Sequence, residues 1–276
     1  MSSGLKTAKA LPILMYHHVS PQPGLVTISP ENFAAQMAWL AGNGYHCASG
    51  ADLEAFLAGR PLPARSVMLT FDDGYLDNYV HAYPILRRNG LHALVFAVTD
   101  WLGDGTARAV ADESGVPPLL NHRECYDCIK AGRLDEAVMR WSEILRTQAE
   151  NVFEFHSHTA SHARWDKISG NSQDKILALK DDLERSRETL RRHLGLSSTH
   201  LCWPQGYYDA DYQAVAHELG FKHLYTTRPG TVCAGAEPAS LPRIVVKDRG
   251  ASWLASRLHL YSSPTLARWY GRLKGR

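Results

Sequence analysis

An α/β fold, closed as a barrel rather than left as an open sheet, is what this chain of 276 residues predicts. Three observations point there. Short apolar, β-branched runs alternate with helical segments. The runs are nearly continuous in hydrophobicity, as parallel strands covered on both faces are. Polar, chemically able residues collect where the runs end, which is the working rim of (β/α) barrels.

Seven runs read as strands: Leu11–His17, Val67–Asp72, His92–Val98, Val152–His158, Thr199–Pro204, His223–Thr227 and Arg243–Val246. Ser29-Pro30-Glu31 supplies an N-cap, a proline at the first helical position and an early acid. That helix is expected to run to Gly42 or Gly44. A long charged helix is expected over Ser172–Leu194, closed by Gly195. Asp209 or Asp211 opens another, ending near Gly220. Residues 99–151 are too long for a simple connection and read as an insertion beside the rim, with a helix near Leu134–Thr147. The organisation is thus a polar N-terminus (1–10), one barrel domain (11–248) and a basic C-terminal tail (249–276).

Composition narrows the function. The formal net charge of +2 and the lack of a basic cluster interleaved with aromatics exclude a nucleic-acid binder. The first ten residues carry no apolar core or cleavage site, so a signal peptide is not expected. Five scattered cysteines suit reduced thiols, and a cytoplasmic location is the expectation. Cys125-x-x-Cys128 has only His122 as a nearby third ligand, short of a structural zinc site, and reads as incidental. The tail holds Arg249, Arg257, Arg268, Arg272, Lys274 and Arg276 with Trp253, Leu254, Leu258, Trp269 and Tyr270. It fits either an anionic membrane surface, at the inner face of the cell membrane, or a helix packed on the barrel.

Two segments carry the chemistry. Leu69-Thr70-Phe71-Asp72-Asp73-Gly74 ends a strand with two carboxylates, and Gly74 permits a sharp turn. Asp-Asp-Gly alone is ordinary turn chemistry. His156-Ser157-His158-Thr159-Ala160-Ser161-His162 ends another strand. One helical turn there would aim His158 and His162 at the same point. An Asp and two His form a ligand set for a divalent metal that keeps a position open for water. The remaining Asp is then free to act as base. His156 reads as a packing or supporting residue.

Together these segments resemble the first two motifs of the polysaccharide deacetylase family, also called the NodB-homology or carbohydrate esterase 4 family. The likeness runs from Leu11 to about Val246. It implies a distorted (β/α)7 TIM-like barrel that removes acetyl groups from amino-sugar glycans with a divalent metal. Zinc is the commonest, with cobalt, nickel or iron(II) as alternatives. It implies Asp73, His158 and His162 as metal ligands and Asp72 as general base. Leu201-Cys202-Trp203-Pro204-Gln205-Gly206-Tyr207 resembles the third motif, which gives the Gln205 N–H to the oxyanion. Trp203 and Tyr207, with Trp101 and Trp165, are candidate sugar-stacking platforms, and each reads equally as a core aromatic. Many members hold the base with an arginine where this chain has Cys202, and Arg243 is the candidate substitute. Met15-Tyr16-His17-His18-Val19 resembles the opening of biofilm-glycan deacetylases and makes His17 the expected acid, with His18 the alternative. The expected substrate is an N-acetylated glycan of the cell envelope or exterior, or a lipid-linked sugar. The alternatives are a small non-sugar amide or imide, or a non-catalytic glycan-binding role.

Overall fold

The computed structural model describes residues 6–195 and 197–273. The strands are β1 (Ile13–Tyr16), β2 (His18–Val19), β3 (Thr27–Ile28), β4 (His46–Cys47), β5 (Ser66–Asp73), β6 (Ala93–Ala97), β7 (Phe153–Ser157), β8 (His200–Cys202), β9 (His223–Tyr225) and β10 (Ile244–Val245). The helices are α1 (Pro30–Gly42), α2 (Gly50–Leu57), α3 (Tyr83–Arg88), α4 (His122–Lys130), α5 (Trp141–Ala149), α6 (Trp165–Ile168), α7 (Ser172–Leu194), α8 (Ala210–Glu218), α9 (Ala251–Tyr261) and α10 (Pro264–Leu273).

The seven expected runs form one curled sheet in the order β10-β1-β5-β6-β7-β8-β9, all parallel. The curl brings both ends onto one segment. Leu241 bridges to Tyr225 at the end of β9, and three residues later Ile244 pairs with Leu14 of β1. This is the distorted TIM-like barrel. The two-residue strands β2, β3 and β4 are too short to leave a periodic signal.

Strand alternation divides the packing. Val67, Leu69 and Phe71 of β5 face outward with Leu14, Tyr16, Val95 and Phe155, beneath the helices. Met68 faces inward with Ile13, Leu94, Phe96, Cys202 and Tyr225. Leu53 and Phe56 of α2 belong to the same inner cluster, so α2 stops the end of the barrel where the strands begin. Thr70 and Asp72, at inward positions near the other end, replace apolar filling with a polar column.

The helix caps follow their sequence signals. Ser29 caps α1 by accepting from the Asn32 N–H, and Asp209 caps α8 by accepting from the Tyr212 N–H. Gly195 ends α7 at φ +67°, a left-handed conformation suited to glycine. The insertion departs from expectation. In place of one helix over 134–147 it has a short 3-10 turn at Leu134–Glu136, an extended stretch and then α5. Residues 138–140 are held extended by the loop after β5: Val138 bridges antiparallel to Tyr75, Leu76 N–H donates to Ala137 O, and Met139 N–H donates to Gly74 O. Tertiary hydrogen bonds there outweigh local helix propensity. The helix α4 carries Cys125 and Cys128, both buried free thiols packed with Tyr75 and Val138.

The tail forms two helices. Leu254, Leu258 and Tyr261 of α9 are buried in the outer cluster, which fits the packed-helix reading for that half. Leu266, Trp269 and Leu273 of α10 are exposed. Lys274 and Arg276 of the basic tail, and residues 1–5 of the N-terminus, lie outside the described residues. No helix among the described residues is long and apolar enough to cross a membrane.

Candidate active site

Adjacent residues in a strand point to opposite faces, so Asp72 and Asp73 share a pocket only if the backbone turns. The turn begins at Asp73 itself, with φ +74°, and continues at Gly74, with φ +81°. Thr159 (φ +66°), His162 (φ +60°) and Gln205 (φ +56°) adopt the same left-handed conformation. Of the six non-glycine residues described with positive φ, four lie in these three motifs. Such strain gathers where a structure must aim side chains. The His158–His162 segment is therefore not a helical turn, as expected, but an irregular loop. Ser157 Oγ accepts from the Thr159 N–H, Thr159 Oγ1 accepts from the His162 N–H, and Asp182 Oδ1 accepts from the Ser161 N–H. A side chain on Gly206 would collide with Thr227, and its φ of +68° reinforces the need for glycine.

Asp73 Oδ1 lies 3.2 Å from His158 Nε2 and 3.5 Å from His162 Nε2. Neither contact has hydrogen-bond geometry, so this buried oxygen has no hydrogen-bond partner. His158 Nδ1 lies 2.8 Å from Cys202 O, which can only accept. Nδ1 therefore carries a ring proton, and Nε2 is the nitrogen turned toward Asp73. Burial opposes protonation of the ring, but Cys202 and Asp73 raise its pKa well above the ordinary value, so a metal would bind there by displacing the Nε2 proton. A buried carboxylate oxygen without a hydrogen bond, facing two imidazole nitrogens, is what a cation would satisfy, and a carbonyl behind the histidine is the usual support for a metal ligand. Burial opposes ionisation of Asp73, but His158 and His162 outweigh it and hold the carboxyl far below its usual range. Burial pushes His162 down to about 4.

Asp72 stands beside this group, clasped by Arg243. Nη1 donates to Oδ1 and Nη2 to Oδ2, each at 2.7 Å. The other guanidinium hydrogens are also used: Nε on Thr226 O at 2.9 Å, Nη1 on Thr70 Oγ1 at 3.1 Å and Nη2 on Cys202 Sγ at 3.0 Å. All five donors of a fully buried arginine are thus engaged. Burial alone would raise the Asp72 pKa, yet Arg243 holds it below the usual range. The guanidinium that β8 lacks at Cys202 comes instead from the segment entering β10. Thr70 was missed by the sequence reading, although it lies two residues before Asp72 on the same strand face.

His17 Nε2 lies 3.7 Å from Asp72 Oδ2, at the partly open edge of the pocket. Burial, together with the Arg243 and His158 charges, lowers its pKa against the opposing pull of Asp72 and Asp73. His18 turns away. Its Nδ1 contacts Asp77 at 2.6 Å, its Nε2 contacts His122 at 3.1 Å, and its ring stacks on Tyr75. In the structure Trp203 is core rather than platform. It is fully buried, stacked toward Tyr208 and edge-on to Tyr212, so its ring offers no face to a sugar. Pro204 and the following left-handed turn carry the chain outward past it, and the large ring fills core beneath. Gln205 is exposed, its side chain accepting from Arg164. Tyr207 lies half-buried under that guanidinium, 4.1 Å from the ring centroid. Trp101 lies with its ring 5.3 Å from that of His162, and Trp165 donates through Nε1 to Asp182. Asp182 was also missed; its signal was an acid at helical spacing with Leu179, Leu183 and Ser186 on the buried face of α7.

The fold and this clustering of acids and histidines describe a barrel hydrolase. The polysaccharide deacetylase family model matches residues 59–224, and the chain belongs to that family of hydrolases acting on carbon–nitrogen bonds other than peptide bonds. The matched stretch includes Asp72, Asp73, His158 and His162 and excludes His17 and Arg243. The Bacillus subtilis relative YxkH is 27% identical over 248 residues, covering 89% of this chain and 75% of its own. The Escherichia coli K12 poly-β-1,6-N-acetyl-D-glucosamine N-deacetylase is 24% identical over 254 residues, covering 85% of this chain; the match spans only 36% of that protein. Among solved structures, the Streptococcus pyogenes deacetylase PplD in complex with acetate superposes with a TM-score of 0.73 at 22% identity, covering 94% of this chain and 100% of that one. At that identity the likeness speaks for the fold.

Proposed function

We propose that this chain hydrolyses the N-acetyl group of an N-acetylglucosamine unit in a cell-envelope or extracellular glycan, with a β-1,6-linked polymer the first substrate to try. The relatives' activity supports the substrate. The observation that carries the chemistry is Asp73 Oδ1, buried without a hydrogen bond and facing two imidazole nitrogens. A divalent cation held by Asp73, His158 and His162, zinc by preference, supplies Lewis acidity when bound, acidifying the water that a base as weak as Asp72 must deprotonate.

The chain's own residues do the rest. Asp72 takes a proton from water as the water oxygen bonds to the acetyl carbon. Arg243 fixes the carboxylate so that its free lone pairs keep one orientation. The Gln205 N–H stabilises the negative charge that gathers on the former carbonyl oxygen. His17 rests unprotonated, receives the proton from Asp72 through Nε2, and passes it to the nitrogen as the carbon–nitrogen bond breaks. Acetate and a free amine leave.

Acetate release from β-1,6-linked, β-1,4-linked and lipid-linked N-acetylglucosamine substrates tests this directly. Release is expected to stop after chelation and return on adding zinc. Release that survives exhaustive chelation would sink the metal assignment.

The tail supports a second proposal, that α10 rests on an anionic membrane and brings a lipid-linked substrate within reach. Leu266, Trp269 and Leu273 recur at helical spacing and are exposed, with Arg268 and Arg272 on the same short helix. Because α9 is part of the core, the informative truncation follows Ser263. Co-sedimentation with phosphatidylserine vesicles should fall in that truncation; equal pelleting contradicts the idea.

A further inference from the structure

We infer that the barrel carries a second metal site at the end opposite the rim, where Glu54, His200 and His223 bind a divalent cation of the zinc type. His200 opens β8 and His223 opens β9. The two are register partners in parallel strands, so their side chains share one face, and their rings stack with centroids 4.5 Å apart. Glu54 reaches them from α2, the helix that stops this end of the barrel.

The distances suit coordination. Glu54 Oε1 lies 3.2 Å from His200 Nε2 and 3.4 Å from His223 Nδ1, and the three ligand atoms all lie within 4.8 Å of one another. Ligands about 2.1 Å from a tetrahedral zinc stand about 3.4 Å apart, so these separations need little adjustment. The second observation is independent of that count. His223 Nδ1 is buried and has no hydrogen-bond partner, in a residue only 8% exposed, and it faces the Glu54 carboxylate. A buried ring nitrogen is not normally left in that condition. A cation would satisfy it.

The surroundings distinguish ligands from bystanders. His200 Nδ1 lies 2.9 Å from the Tyr225 hydroxyl, and Thr199 Oγ1 donates to Glu54 Oε1 at 2.9 Å. The hydroxyl can accept Nδ1–H, the support that histidine ligands usually have; Nε2 hydrogen-bonds Glu54 Oε1 at 3.2 Å, a contact between two of the proposed ligands that a cation would replace. His156 lies close, with its ring 4.5 Å from that of His200, but both its nitrogens are engaged, with Ser198 and Glu154. Its partners lie outside the group, whereas the Nε2 partner of His200 is the proposed ligand Glu54, so His156 is left out of the ligand set. A cavity of about 360 Å³ lined by Glu54, His200, His156 and Glu154 opens beside the group and admits an ion. Two imidazoles and one carboxylate leave a fourth position for water. The place is the barrel's strand-start end, which serves stability, not chemistry. A cation there would pin α2 to β8 and β9.

Zinc titration of the chelator-stripped full chain tests this, with binding counted against a chromophoric chelator and melting followed by circular dichroism. The Glu54→Gln variant, at a half-exposed side chain, should fold normally and take up one zinc fewer than the native chain, or bind that equivalent about a hundredfold more weakly. The Asp73→Asn variant removes a ligand of the rim group and isolates the proposed site. Saturating zinc should raise its melting temperature by about 5 °C, and the rise should vanish when Glu54→Gln is added. Unchanged uptake and an unchanged zinc-induced shift on adding Glu54→Gln would overturn the proposal, whatever the fate of the rim site. Failure at the rim alone would show as Asp73→Asn binding as much zinc as the native chain.

Discussion

Asp72→Asn is expected to lower acetate release about a hundred- to ten-thousandfold at saturating substrate, with KM changed little. The substitution keeps shape and removes only the charge and the basic oxygen. The site makes the effect large because no other carboxylate can take over: Asp73 faces His158 and His162, and Asp77 is turned to His18. The variant also leaves the buried Arg243 without its counter-charge, so its melting temperature must be measured beside its rate. A folded Asp72→Asn enzyme working within tenfold of native would rule out Asp72 as the base.

Arg243→Met is expected to destabilise the chain by about 3–5 kcal/mol, because it strands a buried carboxylate. The fully buried guanidinium also satisfies Thr226 O, Thr70 and Cys202, so several partners are orphaned together. Urea unfolding measures the loss. The double variant Asp72→Asn with Arg243→Met should recover part of it, since neither charge then remains unpaired. Arg243→Lys should not restore turnover, as an ammonium cannot hold both oxygens of the carboxylate. Unchanged turnover in Arg243→Ala, or native stability in Arg243→Met, would remove the clamp from the mechanism.

Much of the frame was legible before the coordinates. The seven apolar runs became the seven strands of the curled sheet, and Ser29-Pro30, Gly195 and Asp209 mark helix ends as their chemistry requires. These are local signals, set by side-chain periodicity and by which φ a residue tolerates. The insertion was less legible because the backbone around Gly74, Tyr75 and Leu76, about sixty residues upstream, draws 138–140 out of helix. Trp203 read equally as platform or core, since an aromatic after a strand looks the same either way until its neighbours are known.

The Asp72-Asp73 pair and the His158–His162 segment were recognisable as candidate ligands and base from residue types and spacing. How they are aimed was not, since it depends on left-handed turns at Asp73, Thr159 and His162 that residue type does not announce. Arg243 was a guess in sequence and a bidentate partner in space, and the bottom of the barrel left no signal in sequence at all. Glu54, His200 and His223 meet because β8 pairs with β9 in one register and α2 is packed beneath them. A strand announces itself through its own residues, but register and closure belong to the whole barrel, and only there do distant side chains acquire neighbours.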